Sequence, residues 1–367
     1  MKKCDLSKVY FLYFLILVGL VVFRLLSSAG VLSFFGESGD YVFTFVIQVL
    51  LLFCLSIFGF GKLTKKSNNI VLKEYKFKKI SKKTIIIAIF MGIIVYFLNS
   101  FIASFFYFLL SCFGFRLSSS GAISTYPVCL LFVNIIFTAL LPAVCEETAH
   151  RGMLLSQISK KSVTKAIILS SLLFGLLHIN IYQFFYATIL GFFFAKLTVD
   201  SGSIYPAMII HFMNNAINVY MSFANTNGLF SAKIVNLFFA IMSGNGVLSI
   251  LFFVLFVVFL LASLRFLYDL VKEEVMAERV RKLRSGLGKL VAREVFFEEV
   301  KSINGSQILP TKKEIDLTII NDFFAKNDQK NTEKASNKAN FYEKLFLFVC
   351  VGMSLVSTIF TFVWGII

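Results

Sequence analysis

The sequence predicts an all-α polytopic transmembrane helical bundle of about eight or nine spans, with a cytoplasmic helical insertion before the last span. Three observations carry this expectation. The 367-residue chain is 58% hydrophobic and holds 46 Phe, more greasy aromatic surface than a water-soluble globule of this size can hide. Its apolar runs are long, and with only 4 Pro in the chain they suit uninterrupted helices; no train of short alternating segments points to a barrel. Its net charge of +16 sits in blocks between the runs, not on one amphipathic face interleaved with aromatics, which fits loops held on the cytoplasmic side and argues against nucleic acid as a partner.

Apolar stretches long enough to span occur at 9–33, 41–61, 84–115, 127–158, 163–181, 182–200, 203–225, 246–268 and 342–367. Lys2 and Lys3 precede the first, but that run is longer than a signal core and Leu26-Ser27-Ser28-Ala29-Gly30 is a poor cleavage site, so an uncleaved helix is expected. The connection after the second run carries Lys62, Lys65, Lys66, Lys73, Lys76, Lys78, Lys79, Lys82 and Lys83, which fixes it inside. Gly36–Asp40 and Ser118–Gly121 carry almost no basic charge and are expected outside. Alternation then puts the N-terminus, Lys160, Lys161, Lys165 and the 269–341 segment in the cytoplasm of a multi-pass cell-membrane protein. Segment 229–243 contains Lys233 and reads as interfacial or re-entrant. Residues 270–300 mix apolar and charged groups at helical spacing, so one or two amphipathic surface helices are expected there, with a polar linker from Asn327 to Lys338, and the whole 269–341 segment is open to a protein partner. The chain thus divides into N-terminal helices with a basic loop (1–126), a polar-rich core (127–225), an interfacial segment and span (226–268), a charged cytoplasmic segment (269–341) and a last span (342–367). Its 6 Cys are scattered without CxxC spacing, which predicts reduced thiols.

Ionisable groups inside hydrocarbon are costly and usually face a cavity, a partner or a substrate. The fourth run contains Glu146, Glu147, His150 and Arg151, the fifth ends at His178, and the seventh carries His211 and Asn215; these are all 3 His of the chain. At ~1.5 Å rise per residue, Glu146, His178 and His211 lie roughly 18, 22 and 12 Å from the cytoplasmic ends of their runs, so three helices offer polar groups at similar depth. Glu147 and Arg151 can pair across one turn, as can His211 and Asn215. Each piece alone has a plainer reading: a Glu/Arg brace, a satisfied buried His, an Asn holding two helices together. Cys145 is a weak nucleophile candidate, because it points about 100° away from Glu146 on the helix.

Glu146-Glu147-Thr148-Ala149-His150-Arg151, Phe174-Gly175-Leu176-Leu177-His178 and His211-Phe212-Met213-Asn214-Asn215 resemble, in order, the EExxxR, FxxxH and HxxxN motifs of the CPBP family. This family comprises the type II CAAX prenyl endopeptidases and bacteriocin-processing enzymes, also called the Abi family. Gly152, Gly191 and the run from Ser201 to Pro206 fit its look as well, whereas His150 departs from the bulky apolar residue usual before the arginine. The resemblance covers about residues 127–225. It implies an intramembrane endopeptidase in which Glu146 and His178 activate a water, His211 and Asn215 donate to the oxyanion, and Glu147 and Arg151 support them.

Peptide hydrolysis needs an activated water, a place for the developing negative charge and a proton for the leaving amine, and these residues can supply each. No cofactor is required on this reading; zinc held by Glu146, His178 and His211 is the alternative. The expected substrate is a membrane-associated peptide or protein within the lipid bilayer. A catalytically silent scaffold or bacteriocin-immunity protein of the same fold is the competing reading, and an ion-coupled transporter a weaker one, since repeat symmetry is not evident.

Overall fold

The structure, a computed structural model, describes residues 6–116, 126–244, 246–299 and 341–366. No strand occurs among the described residues. The helices are α1 (Leu6–Ser28), α2 (Gly39–Thr64), α3 (Asn68–Glu74), α4 (Lys82–Ser111), α5 (Val128–Ile158), α6 (Val163–Leu177), α7 (Ile181–Ser201), α8 (Tyr205–Thr226), α9 (Phe230–Met242), α10 (Val247–Glu299) and α11 (Phe341–Ile366). The Ser118–Gly121 connection and the linker from Asn327 to Lys338 lie outside the described residues.

Helix boundaries have local causes. The Ser81 and Ser162 hydroxyls accept from the backbone N–H of Thr84 and Lys165 and so start α4 and α6, and the Asn180 side chain does the same for α7 through Tyr182 and Gln183. Gly202, at φ 66°, ends α7, and Pro206 sits in the first turn of α8, where its missing N–H costs nothing. Two stretches of α5, Ile135–Leu140 and Thr148–Leu155, are wound as wider π-helical turns, and the second carries His150 and Arg151.

Seven helices are long and apolar enough to cross a membrane, α1, α2, α4, α5, α7, α10 and α11, fewer than the eight or nine expected. The difference lies in α6 and α8. With 15 residues α6 is about 22 Å long, short of a hydrocarbon core of about 30 Å. With 22 residues α8 is long enough, but His211 and its asparagines dilute its apolar character. Both still run from one end of the bundle to the other. At one end Lys160 pairs with Glu74 at 2.8 Å, the Ser203 hydroxyl donates to the Lys78 carbonyl at 2.6 Å, Lys83 approaches Glu274 at 3.7 Å and Lys161 pairs with Glu343 at 2.7 Å. At the other end Arg24 donates to the His178 carbonyl at 2.9 Å, and Asn227 to that of Tyr126 at 3.0 Å. The basic 62–83 connection and the start of the 269–341 segment therefore share one end. That segment opens as a direct continuation of α10, so the one or two helices expected over 270–300 are met, within the described residues, by one helix continuous with the preceding span. With 13 residues, α9 is too short to cross.

Two apolar cores flank the centre. One joins α1, α2, α5 and α6, with Tyr13, Leu52, Met153 and Leu173 fully buried. The other joins α4, α7, α8 and α10 through Met91, Phe194, Ile210 and Val271. The polar residues of α5, α6 and α8 meet between them.

Candidate active site

Adjacent carboxylates on α5 face different surroundings. Glu147 and Arg151 are fully buried and pair at 2.9 Å across one turn. The same Glu147 Oε1 accepts from His211 Nδ1 at 3.1 Å, while Arg151 Nη2 donates to the Gly191 carbonyl at 2.9 Å. Its guanidinium lies 4.4 Å from the Phe174 ring centroid and 5.3 Å from that of Phe194. One ion pair thus ties α5 to α6, α7 and α8. Gly191 is required by a close helix approach: a Cβ there would sit 3.1 Å from the Ser171 Cα, and any separation of α6 from α7 would withdraw the carbonyl that Arg151 holds.

Glu146 turns the other way, into a cavity of about 310 Å³ that is also lined by His178, His211 and Asn215. A cavity of this size takes water and a segment of a ligand. The structure therefore brings all four together, with Glu146 Oε2 4.0 Å from His211 Nε2. Gln48 on α2 donates to Glu146 Oε1 at 2.8 Å, holding one carboxylate oxygen and leaving the other free.

Hydrogen-bond partners fix where the protons sit. A carbonyl only accepts, so His178 Nδ1, 2.9 Å from the Phe174 carbonyl, carries the proton, and Nε2 of the neutral ring keeps a lone pair. Phe174 thus serves twice, its ring under Arg151 and its carbonyl on His178. His211 Nδ1 faces a carboxylate and must donate, so Nε2 can donate as well only when the ring is an imidazolium. In that state His211 and Arg151 balance Glu146 and Glu147, and the four-residue cluster is neutral in its low-dielectric surroundings. Asn215 Oδ1 accepts from Asn214 Nδ2 at 2.9 Å, which leaves the Asn215 NH₂ group available as a donor.

His178 sits at the C-terminal end of α6, and the turn behind it is held tightly. Arg24 caps the His178 and Ile179 carbonyls, at 2.9 and 3.3 Å. Ile179 adopts φ 45°, a left-handed conformation that a β-branched side chain tolerates poorly.

Other residues fall elsewhere. His150 does not line the cavity; Nδ1 donates to the Glu146 carbonyl at 2.8 Å and Nε2 lies 3.1 Å from the Tyr13 hydroxyl on α1. Cys145 is buried in the apolar core beside α1 and α2. Among the described residues no group of three or more His, Cys, Asp or Glu is gathered to hold a metal ion, while Glu146, His178 and His211 all line the cavity. Gln48 and Tyr13 were not singled out from sequence, nor was Asn99, which also lines the cavity. The signal that exposes Gln48 and Asn99 is the one that exposed the histidines, a polar side chain inside an apolar run.

Residues 128–217 match the family described as type II CAAX prenyl endopeptidase Rce1-like. An uncharacterized protein of Mycoplasma capricolum subsp. capricolum is 29% identical over 225 residues, which cover 58% of this chain and 65% of the relative, just under two thirds of its length. No solved structure matches. The matched segment runs from the start of α5 to the middle of α8 and includes Glu146, Glu147, Arg151, His178, His211 and Asn215, so the candidate site of this multi-pass membrane chain lies largely within a segment similar to the Rce1-like family.

Proposed function

We propose that the protein is an intramembrane endopeptidase that hydrolyses a peptide bond of a membrane-associated peptide or protein. The observation that supports this best is the convergence of Glu146, His178, His211 and Asn215 on one cavity of about 310 Å³, with hydrogen-bond partners that leave each group in a usable state. Glu146, oriented by Gln48, and the lone pair at His178 Nε2 take the proton of a water as it attacks the scissile carbonyl. His211, as an imidazolium paired with Glu147, and the Asn215 NH₂ group donate to the tetrahedral oxyanion. The proton held by Glu146 and His178 then passes to the leaving amine, which balances the reaction. Glu147 and Arg151 act through His211 and the helix frame. No metal ion is needed for these steps. The basic 62–83 connection and the 269–299 part of α10, at one end of the bundle, are proposed to face the cytoplasm, which puts the N-terminus there too and the protein in the cell membrane.

The test is a cleavage assay on a membrane-peptide library, with products identified by mass spectrometry, comparing the wild type with Glu146→Gln in nanodiscs. The wild type should cleave a subset of peptides and Glu146→Gln none, at equal folded yield. A scaffold of the same fold would leave both proteins silent.

A further inference from the structure

One wall of the cavity is left unused by the water chemistry. Asn99 on α4 and Asn214 and Asn218 on α8 line it. Asn99 is 7% exposed and Asn214 4%. Asn214 donates to Asn215, and Asn218 donates to the Asn214 carbonyl at 3.1 Å. Asn99 makes no hydrogen bond with any described residue, and its Oδ1 is buried without a partner. A primary amide in the interior of a membrane bundle with nothing to bond is destabilising unless an occupant of the cavity supplies the partner.

The chemistry of the wall narrows the occupant. An uncharged side-chain amide is both donor and acceptor, which matches a main-chain peptide group with its one N–H and one C=O; a charged ligand would call for a counter-charge, and Arg151 is already paired. Position narrows it further. His211, Asn214, Asn215 and Asn218 are spaced i, i+3, i+4 and i+7 on α8 and so share a face about 10 Å long that includes the oxyanion donors. Helices α4 and α8 pack closely at Gly92, where a Cβ would lie 3.5 Å from the Ile210 Cα, and Asn99 lies two turns along α4 from that contact.

We propose that Asn99, with Asn214 and Asn218 beside it, forms a backbone-binding subsite that pairs with a main-chain amide of extended peptide next to the scissile bond. Main-chain pairing of this kind gives affinity without demanding a particular side chain. The subsite rests on the hydrolase reading and adds a substrate-binding element from outside the Rce1-like segment.

The test uses the full chain in nanodiscs and, as probe, the best-cleaved library peptide, unmodified and N-methylated at one backbone position at a time around its scissile bond. One methylation should raise the wild-type KM roughly three- to tenfold with kcat unchanged, the scale of one hydrogen bond. Asn99→Ala should raise KM for the unmodified peptide by a similar factor, that methylation should then have no further effect, and Asn99→Gln should recover part of the affinity. Methylation effects that add to Asn99→Ala at every position would overturn the subsite, as would an unchanged KM in that variant. If Asn99→Ala does not fold, the scan on the wild type decides, and tolerance of methylation throughout sinks the proposal. Cleavage of no peptide by the wild type would instead remove the hydrolase reading, and the subsite with it.

Discussion

Adjacent residues of α5 divide the work because the helix turns them about 100° apart. Glu146 meets the cavity, while Glu147 is walled in by Arg151 and His211. Glu147→Gln should therefore act chiefly on folding: breaking a buried ion pair costs about 3–5 kcal/mol, read as lost yield and a lower Tm in detergent. Asn215→Ala should keep stability and KM but lower kcat by roughly 10²–10³-fold, as loss of one oxyanion donor does, and an equal rise in KM would count against that role. Gln48→Leu removes one charge-assisted hydrogen bond from Glu146 and should lower kcat about tenfold at unchanged thermal stability. Activity should survive chelators; stoichiometric zinc in the purified protein, lost with activity in both His178→Ala and His211→Ala, would make Glu146 a ligand instead of a base. At this scale the sequence was most readable where spacing is local, as in the pairing of Glu147 with Arg151. It was silent on the bond from His211 to Glu147, since 64 residues separate them and only the rotation of α8 brings them together. His150 illustrates the same limit: spacing left open whether it joins the site or turns towards another helix, and its ring turns to Tyr13 on α1.

The helices position the site through close approaches and tight ends. Replacing Gly191 with Ala places a methyl group 3.1 Å from the Ser171 Cα, and overpacking of this kind costs about 1–3 kcal/mol, so Gly191→Ala should lower Tm and, by shifting the carbonyl that Arg151 holds, also lower activity. Gly152 shows a related need, because Tyr75 from the 62–83 connection packs against it, with a Cβ there 2.9 Å from the Tyr75 ring. That connection is clamped to α5 by Glu74, which accepts from Lys66, Lys160 and Gln157. Burial pushes the Glu74 carboxyl up, but the hydrogen bonds from Lys160, Lys66 and Gln157 outweigh it and hold the group at about 2, against an ordinary 4.5. A depressed carboxylate stabilises fully above its unfolded value and loses that contribution as pH falls towards the folded one. The clamp should thus be intact above about pH 4.5 and weaken between there and pH 2, and Glu74→Gln should flatten that part of the stability profile in detergent. Short α6 was the element that sequence misjudged: the apolar run to 181 looked like a span, but Leu177 ends the helix, and a turn with Ile179 at φ 45° carries the chain back.

For the molecule as a whole, the placing of the site between two apolar cores explains why the 90-residue family match does not complete the site by itself. The cavity needs Asn99 from α4, and Glu146 needs Gln48 from α2, so helices ahead of the Rce1-like segment complete it. The bundle class, the basic connection and the polar cluster were readable from composition, charge and depth, because each follows from the cost of charge in hydrocarbon. Which helices face one another was not, since it depends on packing between residues far apart in the chain. Cysteines placed at Lys73 and Lys272 should label from the same side of the membrane; labelling from opposite sides would break the arrangement in which Lys83 meets Glu274. The central claim is that Glu146 activates a water for peptide hydrolysis, and its most direct measurement is single-turnover cleavage in H₂¹⁸O with folded wild-type and Glu146→Gln proteins in nanodiscs. The account predicts one ¹⁸O in the new C-terminal carboxylate of the wild-type product and a rate at least 10²-fold lower for Glu146→Gln, the scale of general-base catalysis. Cleavage by Glu146→Gln at the wild-type rate would contradict it.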